Sequence, residues 1–421
     1  MSAVRRIVIF SDSEMGVGGA TDDFPFETWF GELLRQTRAE TPDDIELICV
    51  FNGDTFDFLK SSLADGTHPH VIHEEASLDK LERMAVAHSD FFKSLGQLLK
   101  DRSKRTRALF TVGNHDYDLV FPRVQTRIRA LLGFPDTVSF VGEGVELGDA
   151  WIEHGSQEDQ MFRFDFDNPT MKWNDLEVLR LPWGAIGTID VALPVQHLFA
   201  HHDRMRPRGM VFDLMPELKE LLVGLAWRYW SREYLKRWVS RKDPLAKVSW
   251  AMFREIGWRL RTANASLTVQ ARYRDRLRTG DHRVMVIGHE HEAAWYTWSD
   301  RKLLTTGCLR AEYGLSADGL EETLLPAVFA ELWQDELGRT VRSGLIEVDT
   351  PEPIPGWKPN SIWDVLPTVR AMLAKDVEKD EVRAAIESEE LAETDEPEVG
   401  DEIEPAEETG LRDEIEPADE S

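Results

Sequence analysis

Several short apolar runs of this sequence end in residues of the types that can bind metals. Ile7–Phe10 leads into Ser11-Asp12-Ser13-Glu14, and Ile45–Phe51 leads into Asn52-Gly53-Asp54-Thr55-Phe56-Asp57. The other three junctions join Ala108–Val112 to Gly113-Asn114-His115-Asp116, Trp151–Glu153 to His154-Gly155, and Val284–Ile287 to Gly288-His289-Glu290-His291. Carboxylates, amides and imidazoles are ligands of divalent metals in proteins. One such loop alone is weak evidence, but five in this order predict a metal site.

The elements that must position these side chains form an alternating series. Helical patterns over Phe26–Arg38 and roughly Leu78–Lys100 separate the apolar runs, which predicts an α/β fold. Val138–Val141, Lys302–Thr306 and Ala327–Leu332 are further candidate strands. Ligands of open α/β sheets collect beyond the carboxyl ends of the strands. Two divalent ions roughly 3.5–4 Å apart at that edge would need a bridging carboxylate and several N or O ligands.

The order of the five blocks resembles the calcineurin-like metallophosphoesterases. The pattern of that family is Asp-x-His, Gly-Asp-x-x-Asp, Gly-Asn-His-Asp/Glu, a lone His and Gly-His-x-His, and four of the five blocks match here without change. The resemblance implies a four-layer αββα sandwich of two mixed β-sheets. It also implies a hydrolase that cleaves a phosphate mono- or diester with water activated by two divalent metal ions.

The resemblance also carries residue roles onto the matching positions. Asp12, residue 14, Asp54 and His291 would hold one metal ion. Asp54 would bridge to a second ion, held as well by Asn114, His154 and His289. His115 would face the phosphate as a general acid or a transition-state stabiliser, and Asp116 would orient His115. Asp57 is open to two interpretations, as a turn former or as a residue that supports the site.

Position 14 departs from the family pattern, because Glu14 stands where the family has His. A carboxylate still binds metals, and its oxygen favours Mn²⁺ or Mg²⁺ over softer ions. We therefore expect Mn²⁺, with Mg²⁺, Fe or Zn²⁺ as alternatives. We also expect Glu14 to be a direct ligand, the alternatives being a water-mediated contact or an impaired metal site.

The run from Phe51 to Phe58 and the helical patterns after His154-Gly155 look most like the branch that contains UDP-2,3-diacylglucosamine hydrolases. In that branch the third block resembles Gly-Asn-Arg-Asp, whereas this chain has His115 in place of the Arg. The lipid-sugar substrate therefore does not carry over, and we expect a phosphorylated small molecule or nucleotide as substrate.

The chain of 421 residues is long enough for one large domain with an insertion. We expect a metallophosphoesterase core at 1–155 and 283–350, interrupted at 156–282 by a helical insertion that is rich in Trp and Arg. A C-terminal extension at 351–386 would follow. Residues 387–421 contain 17 acidic residues, one basic residue and no aromatic residue, which predicts a disordered acidic tail whose partner, if any, is unknown.

Charge and cysteine content limit the possible partners and the cellular compartment. The formal net charge is −28, yet residues 203–283 hold 19 Lys or Arg against 9 acidic residues. Within that stretch Arg228, Arg232 and Lys236 share helical spacing with Trp230, Tyr234 and Trp238. Such a stripe fits core or lid packing, a peripheral membrane contact or a nucleic-acid contact. With two cysteines in apolar runs, and an N-terminal apolar run too short for a secretory signal, we expect a cytoplasmic protein.

Three functions remain open on the sequence. The first is a phosphoesterase acting on a small molecule, and the second is a DNA or RNA nuclease of the same fold, which the basic insertion permits. The third is a scaffold of this fold without catalysis. That last interpretation depends on Glu14 alone, since the other ligand positions match the family.

Overall fold

The computed structural model describes residues 3–375, with gaps at 102–104, 134, 200–201, 208, 241–242, 248, 251, 256–265, 320, 359–360 and 362. The acidic tail predicted at 387–421 lies outside the described residues, as does most of the second half of the extension predicted at 351–386. The chain divides into two compact units, Met1–Arg370 and Ala371–Ser421. All the elements described below belong to the first unit, and the domain boundaries at 155 and 282 stay predictions.

The strands, numbered in chain order, are β1 Arg5–Phe10, β2 Glu46–Asn52, β3 Thr106–Thr111, β4 Val138–Phe140, β5 Gly144–Leu147, β6 Ala150–Glu153, β7 Thr170–Trp173, β8 Leu176–Leu179, β9 Met205–Arg206, β10 Val284–Ile287, β11 Ala294–Trp298, β12 Arg301–Thr305, β13 Tyr313–Leu315, β14 Glu322–Leu324, β15 Ala327–Gln334 and β16 Thr340–Val348. The α-helices are α1 Trp29–Ala39, α2 Glu74–Ala87, α3 Ser89–Lys100, α4 Pro122–Leu132, α5 Trp183–Gly187, α6 Gln196–Phe199, α7 Met210–Leu214, α8 Pro216–Arg228, α9 Leu235–Ser240 and α10 Ser266–Thr279.

Two large mixed sheets form the centre of the fold. One has the strand order β16-β15-β1-β2-β3-β4 and the other the order β11-β12-β10-β6-β5. The pairs β1–β2, β2–β3, β10–β12 and β10–β6 are parallel, so the carboxyl ends of these strands meet at a common edge within each sheet. A three-stranded sheet β14-β13-β9 and the hairpin β7-β8 are smaller additions.

The main hydrophobic core lies between the two large sheets. Ile9 and Val50 from the first sheet pack in one buried cluster with Ile152 and Val286 from the second. On the outer side of the first sheet, Phe30 of α1 and Phe91 of α3 stack with ring centroids 5.2 Å apart. On the outer side of the second sheet, α10 packs its buried face against β10 and β12. The layers are therefore helix, sheet, sheet and helix, which confirms the predicted α/β sandwich.

The structure also departs from the element predictions. The helical pattern at Leu78–Lys100 is two helices, α2 and α3, with a break at His88, whose Nε2 lies 2.9 Å from Asp22 Oδ2. Within 156–282 the chain forms the strands β7, β8 and β9, which the sequence analysis did not predict. These strands have only two to four residues each, too few for a visible apolar alternation. Among the described helices, none has the length and apolar character required to span a membrane.

Candidate metal centre

The loops that leave the strand ends have an unusual backbone. Nine non-glycine residues in the described part of the chain have a positive φ, and the five at this site are Asp12, Glu14, Asp54, His289 and His291. Asp and His enter this left-handed region more readily than most residues, but it still costs free energy. Its concentration at one place indicates that the surrounding structure holds these five side chains in a required direction.

Two glycines let these loops approach one another. A Cβ on Gly113 would overlap with Asp54 Oδ1, and a Cβ on Gly288 would overlap with Ser11 Oγ. Neither glycine has a positive φ, so their contribution is close contact between loops rather than a left-handed turn. The contact brings the loops after β2 and β3 together, and likewise those after β1 and β10.

A hydrogen bond from Nδ1, the nitrogen that faces away from the cluster, fixes the orientation of the His154 ring. Its Nδ1 donates to the carbonyl of Asn52 at 3.0 Å, which directs Nε2 toward Asn114 Oδ1 at 3.0 Å and Asp54 Oδ2 at 3.2 Å. Burial lowers the pKa of His154, but Asp54 and Asp12 outweigh it and raise this pKa to about 10. Without a metal, a proton on Nε2 therefore occupies the place that a cation would take between these ligand atoms.

His291 repeats this arrangement on the other side of the site. Its Nδ1 lies 3.0 Å from Glu312 Oε1, so Nε2 faces Asp12 Oδ1 at 3.1 Å and Glu14 Oε1 at 3.4 Å. A histidine whose outer nitrogen donates to an acceptor is the usual form of a metal-binding histidine, because that bond fixes the ring and its tautomer.

His289 lies beside His154, with ring centroids 5.3 Å apart. Its Nε2 lies 3.3 Å from Asp159 Oδ2, which leaves Nδ1 as the nitrogen that would bind a metal. The sequence analysis did not identify Asp159, and its position in the chain, five residues after His154, follows no strand end. The predicted ligands Asp12, Glu14, Asp54, Asn114, His154, His289 and His291 thus lie in one cluster.

The donor set fits divalent ions. Asp12, Asp54 and His154 have ligand atoms within 4.8 Å of one another, and so do Asp12, Glu14 and His291. Burial raises the pKa of Asp12 to about 6, and the nearby Asp54 and Glu14 add to that rise while His154 opposes it. Cations between these carboxylates would remove the repulsion. Together the two groups offer enough carboxylate and imidazole atoms to suit divalent metal ions.

Glu14 has cationic partners that the sequence analysis missed. Arg310 Nη1 lies 3.0 Å from Glu14 Oε1 and 3.1 Å from Oε2, and Lys60 Nζ lies 2.6 Å from Oε2. Burial opposes the ionisation of Glu14, but Arg310 and Lys60 hold its pKa below the ordinary value. Both cations also contact Asp23, and Arg310 contacts Asp203 at 2.8 Å. A buried network of opposite charges therefore surrounds this carboxylate.

The contact to His115 comes from a different carboxylate than predicted. Asp57 Oδ1 lies 2.9 Å from His115 Nδ1, whereas Asp116 accepts backbone N–H groups from Gly113 at 2.6 Å and Thr55 at 2.9 Å. The prediction that Asp116 orients His115 is corrected in this respect, because the carboxylate of Asp116 points back into the loops. Asp116 ties the loops after β2 and β3 together, and Asp57 positions the imidazole.

The charge of His115 follows from its surroundings. Burial lowers its pKa, but the carboxylates of Glu14, Asp54 and Asp57 together raise the pKa to about 10. The imidazole is therefore protonated near neutral pH in the protein without metal. Its side chain is 15% exposed, and it lines a cavity of about 350 Å³.

That cavity is lined both by the cluster of candidate ligands and by the segment 156–282. One side contains Asp54, Asn114, His289 and His291, together with Lys60 and Arg310. The segment 156–282 lines the same cavity with the apolar side chains Phe162, Ala192, Leu193 and Leu222 and with the polar side chains Thr188, Gln196, His202 and Asp203. A molecule that fills this space would therefore meet both charged and apolar groups.

One signal in the sequence would have found Arg310. It lies in the loop after β12, which pairs in parallel with β10, so this is a sixth loop at the same sheet edge. Lys60 follows Asp57 by three residues and lies 3.5 Å from it, just beyond a block already recognised. Asp23 and Asp203 have no such marker, because only the tertiary structure brings them to Arg310.

Comparison with known proteins gives distant likenesses only. No family model matches the chain, and no curated protein matches it. Among solved structures, a Staphylococcus aureus protein assigned as a 5'-nucleotidase, in complex with alpha-ketoglutarate, is 12% identical with a TM-score of 0.31. The match covers 87% of this chain and 58% of that protein, so this chain spans less than two thirds of its length.

A second solved structure is the phosphopantetheinyl hydrolase of Mycobacterium tuberculosis. It is 10% identical with a TM-score of 0.26, and the match covers 73% of this chain and 92% of that protein. Both likenesses are too distant to say what this chain does. Any conclusion about its chemistry has to come from the residues of the site itself.

Proposed function

We propose that this chain is a metal-dependent hydrolase of phosphate mono- or diesters. The observation that carries the proposal is the pair His154 and His291, each with Nδ1 on an outer acceptor and Nε2 turned toward buried carboxylates. This arrangement suits metal binding better than a structural role, because a purely structural core has no reason to direct so many ligand atoms at one another.

The residues divide into two ligand sets that share Asp54. Asp12, Glu14, Asp54 and His291 would hold one divalent ion, and Asp54, Asn114, His154 and His289 the other, with Mn²⁺ as the favoured metal. Bound there, the ions would supply Lewis-acid polarisation of a phosphoryl oxygen and a water molecule of lowered pKa. The positive φ values at five of these residues hold their side chains in place before substrate arrives.

His115 is the group proposed to act on the leaving side of the phosphate. As an imidazolium it donates a proton to the oxygen of the departing alcohol, or stabilises charge on the phosphoryl oxygens. Asp57, at 2.9 Å from Nδ1, keeps Nε2 directed away from itself and available to the substrate. Asp116 acts indirectly, because it holds the loop from which His115 projects.

The cavity supports a small phosphorylated molecule as substrate. Its volume of about 350 Å³ is near the lower end of the range for small-molecule sites. The apolar side chains of Phe162, Leu193 and Leu222 in its lining suit an apolar or aromatic group next to the phosphate. In this proposal, the segment 156–282 caps the site.

The test is hydrolysis by the purified full chain after removal of metal with a chelator. The panel contains phosphomonoesters, phosphodiesters, nucleotides and single-stranded DNA, each with and without added Mn²⁺. We expect metal-dependent release of phosphate or alcohol from a small ester, and its loss in His115→Asn. His282→Asn, a histidine outside the cavity, is the matched control. Absence of hydrolysis of every substrate in the presence of Mn²⁺, together with no binding of Mn²⁺, would refute the proposal.

A further inference from the structure

The segment 223–253 exposes a concentration of large apolar side chains. Seven of the thirteen exposed large hydrophobic residues in the described part of the chain belong to it: Val223, Trp227, Leu235, Trp238, Val239, Trp250 and Phe253. Trp227 is 68% exposed, Val239 66% and Trp250 79%. Scattered apolar residues on a surface are ordinary, but a concentration of them in one stretch of the chain indicates a binding surface.

Five of these residues lie on one long helix. The helix starts as α8, passes through π-helical turns at Tyr229–Tyr234, and ends as α9. In an uninterrupted α-helix, Val223 and Val239 would lie roughly 160° apart around the axis, since each residue advances about 100°. The π-helical turns contain more residues per turn, so each of their residues advances by a smaller angle around the axis. The side chains of α9 therefore point closer to the direction of Val223 than they would in an uninterrupted α-helix. The exposed apolar side chains therefore occupy a narrower sector of the helix surface.

The other sides of the helix carry buried residues and basic residues. Leu218, Leu221, Tyr229 and Tyr234 are buried, and the Tyr234 hydroxyl donates to the Lys247 carbonyl at 2.9 Å. The basic residues Arg228, Arg232 and Lys236 recur every four positions and form a flank between the buried and exposed faces. From Trp227 to Arg254 the sequence contains eight Lys or Arg and two acidic residues, although the whole chain has a net charge of −28.

We propose that this face, made of Val223, Trp227, Leu235, Trp238 and Val239 with the basic flank Arg228, Arg232 and Lys236, docks on an anionic phospholipid surface. Trp and aliphatic side chains enter the boundary between headgroups and acyl chains, and Lys and Arg bind the anionic headgroups. Charge complementarity selects this occupant: the patch is basic in an acidic protein, so anionic lipid attracts this face and repels most of the remaining surface.

Other occupants fit the same face less well. A second copy of the chain would bring two basic flanks together, and like charges at an interface disfavour association. The acidic tail contains no aromatic residue and few large apolar residues, so it could neutralise the flank without covering the apolar face. Single-stranded nucleic acid stacks on aromatic rings, but Val223, Leu235 and Val239 offer no ring for stacking.

The docking helix also reaches the cavity of the candidate metal centre. Leu222, the residue before Val223, lines that cavity. A protein docked through the exposed face would therefore hold the cavity close to the lipid surface. The docking proposal itself does not depend on the proposed catalytic function.

The experiment is flotation of the full chain with vesicles of phosphatidylcholine alone or mixed with phosphatidylglycerol. We expect binding to the mixed vesicles that weakens as salt concentration rises, and little binding to phosphatidylcholine. The double variants Trp227→Ala/Trp238→Ala and Arg232→Glu/Lys236→Glu should each lower the vesicle-bound fraction at least about tenfold. Trp295→Ala removes a 75% exposed Trp from β11 and is the matched control, expected to bind like the wild type.

Three results would overturn the proposal. One is equal binding to both vesicle types, and another is wild-type binding by the double Trp variant. The third is absence of vesicle binding, with the same variants instead abolishing a dimer or a complex with single-stranded DNA, measured by light scattering and fluorescence anisotropy. Far-UV circular dichroism of each variant checks that it is folded, which the exposure of the changed side chains favours.

Discussion

The ammonium group of Lys60 lies 2.6 Å from Glu14 Oε2, inside the cluster that is proposed to bind metal. Glu14 adds a negative charge that a neutral imidazole at this position would not have, and Lys60 balances it. Arg310 contacts both oxygens of the same carboxylate. Glu14 Oε1 nevertheless stays 3.4 Å from His291 Nε2, so it faces the cluster while Oε2 is bound to Lys60.

This pairing predicts the outcome of changing Glu14. Glu14→His alone leaves Lys60 and Arg310 short of a buried partner, and we expect unfolding free energy to fall by about 3–5 kcal/mol. The charge-balanced variant Glu14→His/Lys60→Met should recover at least about 1 kcal/mol relative to the sum of the single changes. Urea denaturation of the four proteins measures the coupling. Strictly additive effects would show that the two residues do not stabilise each other.

The same balanced variant tests the role of Glu14 toward metal. Replacing an oxygen ligand by a nitrogen ligand should shift binding toward Zn²⁺ and away from Mn²⁺. Titration calorimetry with each metal separates this effect from catalysis. Lys302→Met, at an exposed lysine, should change neither stability nor metal preference. An unchanged metal preference in the balanced variant would indicate that Glu14 does not bind metal directly.

Replacing Asp57 and replacing Asp116 should have different effects on the pH dependence of catalysis. The carboxylate of Asp57 helps to raise the pKa of His115, so Asp57→Asn lowers that pKa. If protonated His115 is the acid, the basic limb of the pH–kcat profile moves to lower pH and kcat falls about a hundredfold, with little change in KM. Asp116→Asn should instead cost about 1–3 kcal/mol of stability and leave the profile in place. The opposite assignment would follow if only Asp116→Asn moved the profile.

Asp54 should be required for both metal ions. Its Oδ1 accepts the backbone N–H of His115 at 2.7 Å, and its Oδ2 lies 3.2 Å from His154 Nε2. We expect Asp54→Ala to bind fewer than one metal ion per chain by plasma mass spectrometry and to lose nearly all hydrolysis. Asp300→Ala, at an exposed carboxylate, is the control. Two bound ions in Asp54→Ala would contradict the shared-ligand assignment.

Asp190 should make the segment 156–282 sensitive to acid. Burial raises its pKa, but hydrogen bonds from His70, Tyr229 and Arg237 outweigh this and hold the pKa below the ordinary value of 3.8. Because the folded-state pKa is depressed, the stabilisation is complete above the unfolded-state pKa and is lost as pH falls through the folded-state value. Asp190→Asn should therefore be about 1–3 kcal/mol less stable at pH 7, with the difference shrinking below about pH 4. A difference that stayed constant from pH 7 to pH 2 would exclude this linkage.

The acidic tail should be dispensable for folding. Residues 387–421 have dense like charge and no aromatic side chain, so they lack a face that could be buried. Removing them should shift Tm by no more than about 2 °C and leave metal-dependent turnover unchanged. Differential scanning calorimetry makes the comparison. A large fall in Tm would show that the tail packs on the rest of the protein.

The sequence alone determined the strands that lead into the site and the loops that follow those strands. Apolar runs such as Ile7–Phe10 and Val284–Ile287 are local signals, and the parallel pairing of their strands brings the ends to one edge by rule. The expected α/β sandwich is confirmed for that reason. The clustering of Asp12, Asp54 and the histidines follows from the same geometry, while their roles as ligands stay predictions.

Only the tertiary structure decided which charges meet. Glu14 and Arg310 are 296 residues apart in the chain, and Asp57 rather than Asp116 reaches His115. No local pattern encodes such pairs, because each depends on how two loops pass each other and on which side chain the backbone turns inward. The exposed face from Val223 to Val239 has the same origin, since π-helical turns at Tyr229–Tyr234 change the direction in which every later side chain points.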